Sequence, residues 1–241
     1  MFGNIVNRHG ENLDYTYHPG RPDAAALVLL GHGVTGNKDR PFLVALAEGL
    51  AAAGVPALRF SFSGNGASGG RFVDSTISKE ADDLGSVIDA VGARPLAYVG
   101  HSMGGAVGVI RASHDQRINY LVSLAGMVHT RAFMEREFGN VKPGEGVMWD
   151  DPNCPLSQAY VDNLRRLDSL ADRAEKVRVP WLLVHGTEDD VVPPQDSRDI
   201  FALANAPKEL HELPGANHVF TGPHTPVLVE KVVAWLTPRL A

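Results

Sequence analysis

An alternation of two periodicities constrains this chain more than any other feature of its sequence. Short runs at residues 26–30, 55–60, 96–99, 120–124, 181–184 and 209–213, mostly apolar, are separated by longer stretches with helical spacing. Each run is closed by Gly, Pro or a polar turn, as in strands covered by helices on two faces. Alternation of this kind gives an α/β fold with a mostly parallel sheet. Residues 13–18 follow the turn-rich Asn7-Arg8-His9-Gly10-Glu11-Asn12, so an antiparallel hairpin is expected to open the sheet.

The intervening stretches carry amphipathic stripes. Ile77, Ala81, Leu84, Ile88 and Val91 recur at three-four spacing, which turns one apolar face to a sheet and leaves Asp82, Asp83 and Ser86 to water. Near the C-terminus, Thr225 before Pro226 reads as an N-cap with Pro at the first helical position, and Val229, Val232, Val233 and Leu236 as the buried side.

At 241 residues the chain is long enough for one sizeable core, on a scale of ~150 residues per domain. Its formal net charge of −6 leaves no basic field for phosphate backbones, so nucleic acid is not an expected partner. The single cysteine, Cys154, excludes an internal disulfide framework. The longest aliphatic run, residues 24–30, falls far short of the roughly 20 apolar residues of a membrane span, and the first residues lack the features of a secretory signal. The expectation is a cytoplasmic protein with no membrane partner, its oligomeric state open and a homodimer included.

One segment breaks the rhythm. Residues 126–179 separate two strands by far more than a crossover helix requires, and read as an insertion between a first part of the core, 1–125, and a second, 180–241. Residues 128–138 and 160–170 read as helices. Between them runs an irregular stretch too long for an ordinary connection, which points to a lid over a site. Trp149 and Met148 within it would be costly to leave in solvent, and Trp149 is a candidate for lining a substrate pocket.

Gly100-His101-Ser102-Met103-Gly104 matches G-x-S-x-G directly after the run 96–99 and directly before a helix. A serine in that turn is held in a strained backbone with its hydroxyl above the sheet edge. The helix that follows holds Gly104, Gly105 and Gly108, each costing ~1 kcal/mol against alanine, so close packing must offset them. A serine hydroxyl needs a base in hydrogen-bond reach, itself oriented by a carboxylate. Downstream, the run 181–184 passes through His185-Gly186 into Thr187-Glu188-Asp189-Asp190, which places three acids at a strand's C-terminal end. The run 209–213 leads through Pro214-Gly215-Ala216-Asn217 to His218. Ser, acid, His is the chain order of α/β-hydrolases.

On these residues the sequence resembles the α/β-hydrolase superfamily over nearly its whole length. The resemblance implies a mostly parallel central sheet with helices on both faces and a short lid insertion after the sixth strand. It implies Ser102 as nucleophile, His218 as base and Asp189 as acid, because the family places a carboxylate three residues after the glycine of its His-Gly turn and ahead of a Val-Pro pair. His32-Gly33-Val34-Thr35-Gly36 is similar to the family's His-Gly-x turn and implies an oxyanion hole built from the backbone N–H groups of Val34 and Met103. Donors of this kind are worth ~10²–10³ in rate each. Within the superfamily the segments 32–38 and 58–68 are most similar to bacterial carboxylesterases of the cinnamoyl/feruloyl esterase type, and serine aminopeptidase-like hydrolases share these motifs. Ser61 and Ser63 depart from the commoner Arg-Phe-Asp-x-Arg-Gly, which weakens the narrower resemblance.

The resemblance thus implies hydrolysis of small-molecule carboxylic esters of short or aromatic acyl groups, with no cofactor. A thioesterase, acyltransferase or aminopeptidase would use the same three residues, and a non-catalytic ligand receptor the same pocket. Neither H-x-x-x-H nor H-E-x-x-H occurs, so no metal is expected; His32, His101 and His185 read as residues that shape turns. Gly64-Asn65-Gly66-Ala67-Ser68-Gly69-Gly70 lacks the Lys-Ser/Thr of a phosphate loop and reads as a turn near the site.

Overall fold

The computed structural model describes residues 2–240. Nine strands and seven α-helices follow in chain order among them: β1 (Ile5–Val6), β2 (Asn12–Leu13), β3 (Tyr15–His18), β4 (Leu27–Gly31), α1 (Pro41–Ala52), β5 (Ala57–Phe60), α2 (Ile77–Val91), β6 (Leu96–His101), α3 (Met103–Ala112), β7 (Ile118–Leu124), α4 (Thr130–Phe138), α5 (Gln158–Leu167), β8 (Trp181–Gly186), α6 (Pro194–Leu203), β9 (Lys208–Leu213) and α7 (His224–Leu240). Seven strands form one sheet in the order β3-β5-β4-β6-β7-β8-β9. Only the edge strand β3 runs antiparallel to its neighbour.

Strand periodicity divides the interior into two cores. Leu27, Leu29, Tyr98, Leu121, Trp181 and Leu183 face α2, α3, α6 and the insertion, while their sequence neighbours Val28, Leu30, Val99, Val122, Leu182 and Val184 face α1 and α7. Both faces are buried, which is why these runs read as continuously apolar.

The chain lays down β3, β4 and β5 toward one edge, then returns to place β6 on the free side of β4. The segments leaving the C-terminal ends of β4 and β6 therefore diverge to opposite sides, and ligands bind in the crevice opened at such a switch point. Gly31 of β4 stands opposite Gly100 of β6, so the turns that begin at His32 and Ser102 emerge side by side.

The structure corrects several local expectations. The strand expected over 13–18 is split at Asp14: β2 pairs with β1 in a separate two-stranded sheet, and β3 pairs with β5. The α2 stripe is buried as expected and Thr76 Oγ1 caps the helix by accepting from Lys79 N, but Asp83 is fully buried instead of facing water. Its carboxylate accepts from Ser63 N, Ser63 Oγ and Asn7 Nδ2 at 2.7–2.9 Å, so Ser63 ties the loop after β5 to α2. The last helix starts at His224, ahead of Thr225, whose hydroxyl donates to Phe220 O instead of capping. Its buried side is Leu228, Val232, Trp235, Leu236 and Leu240, with Val229 and Val233 at the margin.

The insertion follows the fifth strand of this sheet in chain order, β7, and not the sixth as expected; between β7 and β8 lie α4, α5 and two 3-10 helices, Met148–Asp150 and Ala171–Lys176. Met127, Phe133, Met134, Phe138, Leu156 and Leu164 join the core on the α2–α3 face. The stretch without periodicity is held by its own hydrogen bonds, Gly144 N to Leu156 O, Leu156 N to Gly146 O and Met148 N to Cys154 O, at 2.8–2.9 Å. Asp196 of α6 anchors the start of the insertion by accepting from Val128 N and His129 N.

Candidate active site

Ser102 sits between β6 and α3 with φ 54° and ψ −118°, outside the regions that residues with a side chain ordinarily occupy. Such a conformation costs ~1–3 kcal/mol and persists only where its surroundings over-determine it. Here Ser102 N donates to Leu124 O, and Ser102 O accepts from Gly105 N, Ala106 N and Met127 N. The glycines after it are where α3 approaches the sheet. A methyl group on Gly104 would fall 2.5 Å from His32 O, and one on Gly105 2.8 Å from the Cα of Gly126. Met103 N–H is among the first-turn donors that lack an intrahelical partner, at the positive end of the α3 dipole.

The turn after β4 presses on the serine from the other side. A methyl group on Gly33 would lie 2.8 Å from Ser102 Cβ and 3.2 Å from its Oγ, so only glycine admits this approach. His32 sets the turn. Its Nε2 accepts from Phe62 N at 3.0 Å, so Nδ1 carries the proton and donates to Gly33 O at 2.8 Å. Burial pushes its pKa down to about 4, which keeps the ring neutral near pH 7. Gly36 N closes the turn on Gly33 O, and Val34 follows Gly33 within it.

His218 is held from two directions. Its Nδ1 lies 2.8 Å from Asp189 Oδ2; the carboxylate can only accept, so Nδ1 carries the proton and Nε2 is left basic. His101, next to Ser102 in sequence, donates from Nε2 to His218 O at 2.8 Å, and the two rings lie 4.7 Å apart between centroids. Burial, reinforced by the neighbouring His218, holds His101 well below the usual histidine range. The loops carrying Asp189 and His218 are tied by Gly215 N to Thr187 Oγ1 and by Glu188 N to Ala216 O.

Of the three acids after β8, Glu188 and Asp190 are exposed and Asp189 is buried. Its Oδ1 accepts from Val191 N and Val192 N, its Oδ2 from His218 and, at 3.1 Å, from His185 Nε2. Burial raises its pKa, but the hydrogen bonds from His185 and His218 outweigh burial and hold the carboxyl well below the usual range. His185 is fully buried; Nε2 faces Asp189 and Val192 O, both acceptors, so Nδ1 accepts from Ser197 Oγ at 2.7 Å. The one trace of this contact in the sequence is the four-residue spacing from His185 to Asp189 across a tight turn.

The structure thus brings Ser102, Asp189, His218, Val34 and Met103 to the C-terminal edge of one sheet. Trp149 is elsewhere. It is 42% exposed, takes a left-handed φ of 46°, donates from Nε1 to Glu137 and packs on Phe138. Its neighbour Met148 points inward and, with Val34, Met103, Pro155, Glu80 and Tyr160, lines a narrow pocket without room, as it stands, for a water molecule. Among the described residues no group of three or more His, Cys, Asp or Glu is arranged to hold a metal ion, and no helix is long and apolar enough to cross a membrane.

A strained serine at the switch point, beside a carboxylate-bound histidine on a parallel sheet covered on both faces, defines a serine hydrolase of the α/β-hydrolase class. The chain belongs to the prolyl oligopeptidase family (peptidase S9), whose model matches residues 75–241. It is 28% identical over 240 residues to the uncharacterized protein YfhR of Salmonella typhimurium, covering 92% of this chain and 75% of that one. It is 25% identical over 264 residues to a monoacylglycerol lipase of Mycolicibacterium smegmatis, covering 90% of each. The fold is similar to that of Est1E from Butyrivibrio proteoclasticus, solved with ferulic acid bound, at a TM-score of 0.80, 24% identity and 97% coverage of both chains.

Proposed function

We propose that this protein hydrolyses carboxylic esters of short or aromatic acyl groups through an acyl-enzyme. Ser102 Oγ attacks the ester carbonyl while His218 Nε2 takes its proton. The tetrahedral oxyanion is held by the N–H groups of Val34 and Met103. The intermediate collapses, His218 returns the proton to the departing alcohol, and the acyl group stays on Ser102. Water, deprotonated by the same nitrogen, then releases the acid. Asp189 fixes the Nδ1–H tautomer of His218 and stabilises the imidazolium that forms in each step. The observation that carries this reading is the 2.8 Å bond from His218 to a buried, fully hydrogen-bonded Asp189, on the edge where the Ser102 turn emerges.

The pocket beside Val34 and Met103 is far smaller than the roughly 300–1,000 Å³ of sites for drug-sized ligands, which favours a short chain or a single ring on the acyl side. Membership of a peptidase family favours a second reading, cleavage of aminoacyl amides by the same residues. The discriminating experiment is steady-state turnover of p-nitrophenyl acetate and butyrate, an acyl-thioester and a set of aminoacyl p-nitroanilides. The ester reading expects the esters to have the highest kcat/KM; faster anilides or thioesters would overturn it.

A further inference from the structure

The seven-stranded sheet ends at β9, and the outer edge of that strand is open. Its register against β8 determines which backbone groups the edge offers. Trp181 N donates to Pro207 O at 3.1 Å and Thr187 N to Leu213 O at 3.0 Å, so the odd-numbered residues of this stretch turn their backbone polar groups to β8. Lys208, Leu210 and Glu212 turn theirs outward, and among the described residues no other segment pairs with them. An open edge is a template for pairing, and proteins blunt it with proline, a bulge, a covering element or charge. β9 has no proline and runs from Lys208 to Leu213 without a register shift. It does carry Lys208, Glu209, His211 and Glu212, side chains that repel or attract a partner strand according to the register in which it approaches.

We propose that β9 pairs antiparallel with β9 of a second copy of this chain, about a two-fold axis at Leu210, so that two sheets join into one. A two-fold interface must be complementary to itself. Backbone parity limits the choices, because outward-turned residues have to face outward-turned ones, and the axis therefore passes through a residue and never between two. With the axis at Leu210, Leu210 faces its counterpart and Lys208 of each copy faces Glu212 of the other, each pair exchanging two backbone hydrogen bonds. Glu209 of each copy then lies opposite His211 of the other, so apolar meets apolar and acid meets base along the whole strand. Moving the axis by one residue sets Glu209 against Glu209 or His211 against His211, with Leu210 opposite a charge. Moving it by two sets Lys208 against Lys208 or Glu212 against Glu212. The flanks suit the same partner. On one face Leu210 and Phe201 of α6 are only partly buried, and Leu203 at the end of α6 is 41% exposed. On the other, Glu209 and His211 share an open groove with Glu230, Lys231 and Arg239 of α7, a surface of both signs.

The test is the mass in solution, read by light scattering after size exclusion and by sedimentation velocity. The wild type should form a particle of twice the 25.9 kDa chain at high micromolar concentration and dissociate on dilution. Amide hydrogen exchange at Lys208, Leu210 and Glu212 should slow as the concentration rises, while Glu209 and His211, bonded to β8 in either state, change little. Lys208→Glu sets glutamates across the outer pairs and Glu212→Lys sets lysines there; each should weaken association at least about tenfold, as like charges in register do. The double variant Lys208→Glu with Glu212→Lys restores opposite charges and should recover most of the affinity. Leu210→Pro removes an N–H that faces solvent in the single chain, so this variant should keep its kcat/KM and stay monomeric. A wild type that is monomeric throughout would leave the edge to solvent or to a different partner and overturn the proposal. A dimer that survives Leu210→Pro and both single charge changes would use another face, and would overturn it equally, as would a double variant no better than the single ones. If Leu210→Pro does not fold, the charge variants decide alone.

Discussion

Gly104→Ala sets two physical effects against each other. Helix propensity alone makes alanine ~1 kcal/mol better than glycine within α3. The structure opposes this, since the new Cβ would lie 2.5 Å from His32 O and 3.0 Å from Gly31 O, both backbone atoms that cannot rotate aside. Overpacking of a buried contact costs ~1–3 kcal/mol, and a clash with backbone belongs in the upper part of that range. The net expectation is a loss of about 1–2 kcal/mol, or ~2–8 °C in Tm for a chain of this length. The start of α3 must retreat from β4 to relieve the clash, and Met103 N–H moves with it. A displacement approaching 1 Å at an oxyanion donor costs up to about 100-fold in kcat. Thermal unfolding and steady-state hydrolysis of p-nitrophenyl acetate measure both effects. A variant as stable as the wild type or more so, with unchanged kcat, would refute the close approach of α3 to the oxyanion turn and the placement of Met103 that depends on it.

Three further changes read other parts of the site. Asp189→Asn should lower kcat by about 10³–10⁴ with KM within a few fold, because the amide no longer enforces the Nδ1–H tautomer of His218; a loss below tenfold would remove Asp189 from the mechanism. His32 binds a proton less readily when folded, its pKa being about 4 against 6.5 unfolded. Its contribution is complete above pH 6.5 and is lost as the pH falls toward 4, at ~1.4 kcal/mol per unit and about 3 kcal/mol in all. The readout is the urea-unfolding free energy of the wild type minus that of His32→Asn, which should shrink across that window; the difference is needed because Glu80, with its raised pKa, titrates in the opposite sense. A constant difference would show that His32 is not held neutral. Trp149→Ala should leave kcat/KM within about twofold in the ester assay, since the side chain lies outside the cavity, and a tenfold loss would place it against the substrate.

Much of the architecture is legible in the sequence because strand alternation is a local signal: Leu27 and Leu29 face one core, Val28 and Leu30 the other, and both sets are apolar in the run itself. The Ser102 turn is legible for a similar reason, as the pentapeptide and the three glycines of α3 report a close approach that the backbone shows. Asp83 and Glu80 were not legible. A helical stripe assigns a carboxylate to water by its chemistry, whereas the burial of Asp83 depends on Asn7 and Ser63, residues 76 and 20 positions away. The order within the insertion comes from backbone bonds between 144–148 and 154–156, which leave no periodic trace. A large aromatic in an irregular stretch needs cover, which from sequence alone points Trp149 toward the substrate. Its left-handed backbone turns it outward onto Phe138 and Glu137, and Met148 takes the inward place.

The most direct measurement of whether Ser102 is an activated nucleophile is covalent labelling of the intact protein by a fluorophosphonate, with the adduct located by peptide mass spectrometry. The expected result is one adduct per chain, on Ser102, formed rapidly near neutral pH, absent in Ser102→Ala and slowed by orders of magnitude in His218→Ala. Folded protein that stays unlabelled, or an adduct on any other residue, would contradict the assignment.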